Sequence, residues 1–151
     1  MRFELYGAND LNFVEFNITG NPDLFKQCDK DSFYMDSEIF SLFSDCFEHS
    51  NNLFDYFGPT KYTTRNIVVL LNELQTAYSN IQKIKSYNEF LNYASDKFMG
   101  SNFVLELEKF DKNWRLNWEQ YCTKLLEVDQ QIINLIKRCM DEEKTLWIIG
   151  Y

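Results

Sequence analysis

The chain holds one histidine, His49, so a Cys/His or Ser/His dyad would have to be built on it, and sites that need a histidine pair, such as H-E-x-x-H, are excluded. His49 closes a helical stretch among acids and reads as a solvated or helix-capping side chain. Cys28, Cys46, Cys122 and Cys139 form no C-x-x-C pair; Cys46 and Cys122 fall on apolar helix faces and read as buried, reduced thiols. Five glycines lie scattered through the chain and build no phosphate-cradling loop. Carboxylates are plentiful, so an acid pair or an all-oxygen metal site stays open, but no E-x-x-H or EF-hand spacing points to one, and no cofactor is implied. Asp129 stands apart: at 100° per residue it falls among Cys122, Leu125, Ile132 and Ile136, in the middle of an apolar stripe. A buried carboxylate must be paired or protonated, and the expectation is a structural acid held by a Tyr, Trp, Arg or backbone amide.

These residues need long regular elements to position them. With 17% aromatics, five Gly and two Pro in 151 residues, the composition predicts such elements and a single domain spanning 1–151. Residues 3–6 and 12–18 read as strands of a hairpin joined by Gly7-Ala8-Asn9-Asp10, with Glu15 and Asn17 on its polar face. Residues 36–48 read as a helix capped by Asp36 or Ser37; Ile39, Phe40, Leu42, Phe43, Cys46 and Phe47 take one side, and Glu38, Ser41, Asp45 and Glu48 the other. Gly58-Pro59 marks a break. A helix then runs from a Thr63 or Thr64 cap to about Lys85, with Val68 and Val69 making its first turns buried nearly all round. Ser86-x-x-Glu89 is a capping box that opens a third helix, ended by Gly100 in a left-handed conformation. Asn102 restarts a helical pattern, with a strand at 103–107 as the lesser alternative. After a break at Asp111-Lys112-Asn113, residues 114–142 form the longest helix and 146–149 a last strand. The fold class expected is mainly α: four or five helices around 66–85 and 114–142, with a small antiparallel sheet joining the N-terminal hairpin to the C-terminal strand.

The net charge is −8, and it is unevenly placed. Residues 1–55 hold eleven acids against three bases, whereas the remaining residues are balanced. Basic residues form no patch of the kind that neutralises phosphates, which argues against nucleic acid and anionic membrane surfaces as partners. The N-terminus lacks the apolar segment of a signal peptide, and the longest aliphatic run, Ile67–Leu71, is far short of a membrane span. The expected location is the cytoplasm. The acidic third is either a solubilising surface or a face for a basic protein. The aromatics around it, Phe40, Phe43, Phe47, Phe54, Tyr56 and Phe57, read mostly as core, with some left over as partner anchors.

The stretch Asp31-Ser-Phe-Tyr-Met-Asp-Ser-Glu-Ile-Phe, followed by Phe54-Asp-Tyr-Phe-Gly-Pro-Thr-Lys-Tyr, resembles small bacterial immunity proteins of polymorphic and contact-dependent growth-inhibition toxin systems. The likeness covers roughly residues 30–75. It implies a non-catalytic cytoplasmic inhibitor that binds a toxin domain, often a nuclease. A nuclease site is basic because its substrate is anionic, so an acidic inhibitor surface would compete for it. The residues expected to meet such a partner are Glu38, Asp45 and Glu48 on the 36–48 helix, with Asp29, Asp31 and Asp55 extending the patch. An acidic interaction or regulatory module without catalytic activity is the alternative, and an enzyme the third.

Overall fold

The computed structural model describes residues 1–7 and 13–150. Among them are six helices and a four-stranded antiparallel sheet, with most ordered residues helical. The strands are β1 (Phe13–Asn17), β2 (Phe33–Asp36), β3 (Pro59–Tyr62) and β4 (Leu146–Gly150), in the order β2-β1-β4-β3. Thus the C-terminal strand joins the sheet as expected, between β1 and β3.

The hairpin differs from expectation. β1 pairs with β2 in the register Val14–Met35 and Phe16–Phe33. Tyr6 bridges instead to Tyr34, with reciprocal backbone bonds of 2.9 and 2.7 Å. Residues 3–6 are therefore not the partner of β1. They run across the helices: the Leu5 amide donates to Gln131 Oε1 at 2.7 Å, and the Phe3 ring lies 5.5 Å from Tyr121. Of the expected turn, Ala8, Asn9 and Asp10 lie outside the described residues.

β1 is also buried on both faces. Val14 and Phe16 enter the main core, while Glu15 and Asn17, expected to face water, are fully buried. Segment 18–32 folds across that second face and supplies donors. Ser32 Oγ donates to Glu15 Oε1 at 2.7 Å, and the Cys28 amide to Glu15 Oε2 at 2.9 Å. Asn17 Nδ2 donates to Glu15 Oε1 at 3.1 Å and to the Lys26 carbonyl at 2.7 Å. A buried carboxylate is tolerable only with such a set of donors.

The 36–48 helix is two helices, α1 (Ser37–Ser41) and α2 (Ser44–Ser50). At the joint, the amides of Leu42, Phe43 and Cys46 donate to the third preceding carbonyl rather than the fourth. Ser41 and Ser44 hydroxyls donate back to the carbonyls of Glu38 and Ser41 at 2.7 and 2.9 Å, and both serines are buried. Asp36 does not cap α1 through its side chain. Its carboxylate accepts from the Arg2 amide at 2.7 Å and from the Tyr6 hydroxyl at 2.9 Å, fastening the N-terminus.

Helix α3 (Thr64–Gln82) starts at Thr63, which occupies the cap position without a side-chain bond. Val68 and Val69 are exposed, so only the stripe Ile67, Leu70, Leu74, Ala77 and Ile81 is buried. Helix α4 (Tyr87–Ser95) opens on the first half of the capping box: Glu89 N–H donates to Ser86 Oγ at 3.2 Å, while Glu89 Oε2 accepts at 2.7 Å from the amide of Lys85 and not from that of Ser86. Helix α5 (Gly100–Phe110) covers the residues that could have made a strand. The left-handed residue before it is Met99, with φ 56°, and Gly100 is the first helical position. A side chain at Gly100 would meet the Ala94 carbonyl oxygen at 1.8 Å, so close helix approach requires the glycine. Helix α6 (Trp118–Asp141) begins four residues later than predicted. Trp114 precedes it in a turn, buried against Tyr87 and Phe90, with its indole N–H donating to Glu108.

One contiguous core lies between the sheet and the helices. α3 and α6 pack along each other, and the rings of Phe16, Phe40, Phe47 and Tyr62 lock α1 and α2 to the sheet at centroid distances of 4.9–6.0 Å. The Tyr62 hydroxyl donates to the Phe47 carbonyl at 2.6 Å.

Glu15→Ala should strand the donors of Ser32, Cys28 and Asn17. The expected loss in urea denaturation is on the order of 3 kcal/mol, against at most about 0.5 kcal/mol for the exposed Glu127→Ala. Equal, small effects would show that Glu15 does not hold segment 18–32.

Candidate functional site

The six acids expected to meet a partner occupy different settings. Asp29 and Asp31 end segment 18–32, just before β2; Asp29 Oδ1 accepts from the Asp31 amide at 3.0 Å. Asp31 lines an open cleft with Lys30, Arg138 and Lys144, the last two of which pair with Glu142. Glu38 lies beyond the other end of β2, half-buried on α1. Asp45 on α2 is engaged with the Lys97 ammonium, so it is not a free charge. Glu48 is exposed one turn further along α2, next to His49, whose Nδ1 lies 3.4 Å from Glu73 Oε2 on α3.

Asp55 is exposed in the turn before β3. Its Oδ1 accepts from the Phe57 amide at 3.0 Å, and its own amide donates to Thr60 Oγ1 at 3.0 Å. Between Asp55 and Phe57, the Tyr56 hydroxyl donates to the Ser37 carbonyl at 3.2 Å. Burial and then the nearby Glu38 carboxylate push the Tyr56 phenol up to about 12. The structure thus sets Glu38 near the Tyr56 phenol, with Asp55 next to Tyr56 in the chain, and leaves Asp29 and Asp31 at the opposite end of β2.

A second group is buried. Asp129 is inaccessible, as the helical stripe predicts, but neither carboxylate oxygen has a hydrogen-bond partner among the described residues. The expected partner is therefore replaced by the other solution, protonation: burial alone lifts its carboxyl to about 8. Tyr93 on α4 has a buried hydroxyl that is likewise without a partner. Its phenol is raised by burial first, then by Cys46, Asp45, Asp129 and Cys122, which places α2, α4 and α6 side chains around one spot. Burial raises the Cys46 thiol strongly, and those of Cys122 and Cys139 to about 11. At neutral pH these groups hold their protons, and thiols in that state are poor nucleophiles.

Among the described residues, no three His, Cys, Asp or Glu side chains converge on a metal position, and no helix is long and apolar enough to cross a membrane. Sequence reasoning missed Tyr93, since it lies off the stripe of α4; it grouped Phe57 with aromatics read mostly as core and did not set Phe98 beside Tyr56. Phe57 carries no sign of exposure in the sequence, and Phe98 continues the apolar spacing of the preceding helix. Compared with known proteins, the chain matches no family model, no curated relative and no solved structure.

Asp129 gives a pH test. Its folded-state proton affinity is raised, so its contribution to stability is complete below about pH 4 and is lost as pH climbs toward about 8. Relative to Asp129→Asn, the wild type should lose about 1.4 kcal/mol per pH unit between roughly pH 5 and pH 8. Parallel stability profiles for the two proteins would show that Asp129 is ionised and paired.

Proposed function

We propose that this chain is a non-catalytic protein-binding inhibitor of the immunity type, which neutralises a basic toxin domain by forming a stoichiometric complex with it. The observation that carries the reading is the placement of charge: the whole excess of −8 belongs to residues 1–55, which form β1, β2, α1 and α2 and the loops around them. A surface of one sign attracts a partner of the other, speeds encounter and rejects wrong partners, while burying anchors sets the lifetime of the complex. The resemblance of residues 30–75 to immunity proteins supports the same reading. An acidic regulatory module would use the same surface against another basic protein; a toxin gene beside this one distinguishes the inhibitor from the module.

Glu38 and Glu48 are the acids to reverse, because Asp45 is occupied by Lys97 and the Asp55 carboxylate accepts the Phe57 amide. The double Lys variant should keep its melting temperature, since surface changes stay within about 0.5 kcal/mol each. Its association with the toxin domain encoded beside it should slow by about tenfold or more at low salt, with a flattened salt dependence. Unchanged association and undiminished protection of cells would reduce the acidic surface to a solubilising one.

A further inference from the structure

We infer that the ring cluster of Tyr56, Phe57 and Phe98, with Met99 beside it, is the apolar anchor that the acidic surface presents to a basic protein partner carrying apolar side chains. The inference rests on the binding reading above and names the part of the surface that holds the partner.

Two parts of the chain build the cluster. The Tyr56 ring lies 5.0 Å from Phe57 and 4.8 Å from Phe98, edge to face in both cases. Phe57 is 67% exposed, Phe98 53% and Met99 38%. Isolated exposed apolar residues are ordinary, but rings stacked on one another at the surface form a continuous patch, and such patches mark interaction sites. The patch is held in place from below. Tyr56 is bonded to the start of α1 through the Ser37 carbonyl. Its own carbonyl oxygen would lie 1.9 Å from a side chain at position 150, so the close approach to β4 depends on Gly150. The Phe57 backbone amide donates to the Asp55 carboxylate at 3.0 Å, which holds the chain beneath its ring. Rings fixed before binding lose little freedom on complex formation, which is why aromatic side chains dominate binding anchors. At the α4–α5 junction, Met99 adopts φ 56°, a left-handed conformation that a side chain with a Cβ seldom takes.

The charge around the rings selects the partner. Glu38 acts on the Tyr56 phenol, Asp55 adjoins it in the chain, and exposed Asp96 stands two residues before Phe98. The neighbouring cation, Lys97, is taken up by Asp45 and by the Tyr93 ring at 4.9 Å. The rim is therefore negative. It favours a cationic surface, and the rings favour one that also carries aliphatic or aromatic side chains.

Two synthetic peptides of equal length and equal positive charge test this, one of Lys and Ser only, the other of Lys, Leu and Trp. Each is titrated into the isotope-labelled full chain while backbone amide resonances are followed. The Lys/Leu/Trp peptide should perturb residues 55–58 and 96–99 and bind about tenfold more tightly than the Lys/Ser peptide. Phe57→Ser combined with Phe98→Ser should remove that difference, and the exposed Leu116→Ser should not. Equal affinity of the two peptides, or perturbations centred on Asp29 and Asp31, would overturn the anchor and leave the acidic surface standing. No binding of either peptide would overturn both. Concentration-dependent dimerisation abolished by the double variant would overturn the anchor in favour of a second copy as occupant.

Discussion

The buried carboxylate of Glu15 governs the layout of the acidic third. A charge in the middle of a sheet needs donors on every side, and the chain finds them by drawing segment 18–32 over the sheet until Ser32 and the Cys28 amide reach it. That path delivers residues 33–36 to the edge of β1 as β2. β2 in turn takes Tyr6 on its outer side and ends at Asp36, which fastens the N-terminus. The acids that follow are dealt to its two ends: Asp29 and Asp31 before it, Glu38 after it. One satisfied carboxylate thus sets Asp29 and Asp31 apart from Glu38.

Asp129 solves the same problem differently. It lies between helices, where main-chain donors are already committed to helical bonds, so no amide is left to stabilise its charge. It keeps its proton instead. The two buried acids divide the molecule: the sheet side is fixed by hydrogen bonds to an acceptor, while the helical side holds a group whose burial weakens the fold as pH rises toward about 8. Asp129 acts on the buried Tyr93 phenol, yet neither group has a hydrogen-bond partner among the described residues.

Helices α3, α4 and α6 and strand β4 were legible because each carries a full period of apolar residues and a terminal signal, such as Ser86 and Glu89. β2 and β3 have four residues each, too short for an alternation to stand out. In β1 the alternation was real but misleading: Glu15 and Asn17 look solvated until the loop that covers them is known. The break between α1 and α2 depends on Ser41 and Ser44 bonding back to carbonyls, a choice that serine makes only in context. Of the candidate site, composition revealed the sign of the charge. It could not reveal that Asp45 is neutralised by a lysine fifty-two residues away, or that Phe98 meets Tyr56 from a different helix junction. Both are long-range contacts with no local signature.

The central claim is that the acidic surface around Tyr56 holds a basic protein. The most direct measurement places a photoreactive phenylalanine analogue at position 57, and at position 116 as a control, and identifies the proteins crosslinked in the native cell. The account predicts an adduct from position 57, absent from position 116, with a protein whose contacting domain has a net positive charge. Adducts equal at both positions, or with an acidic protein at position 57, would contradict it.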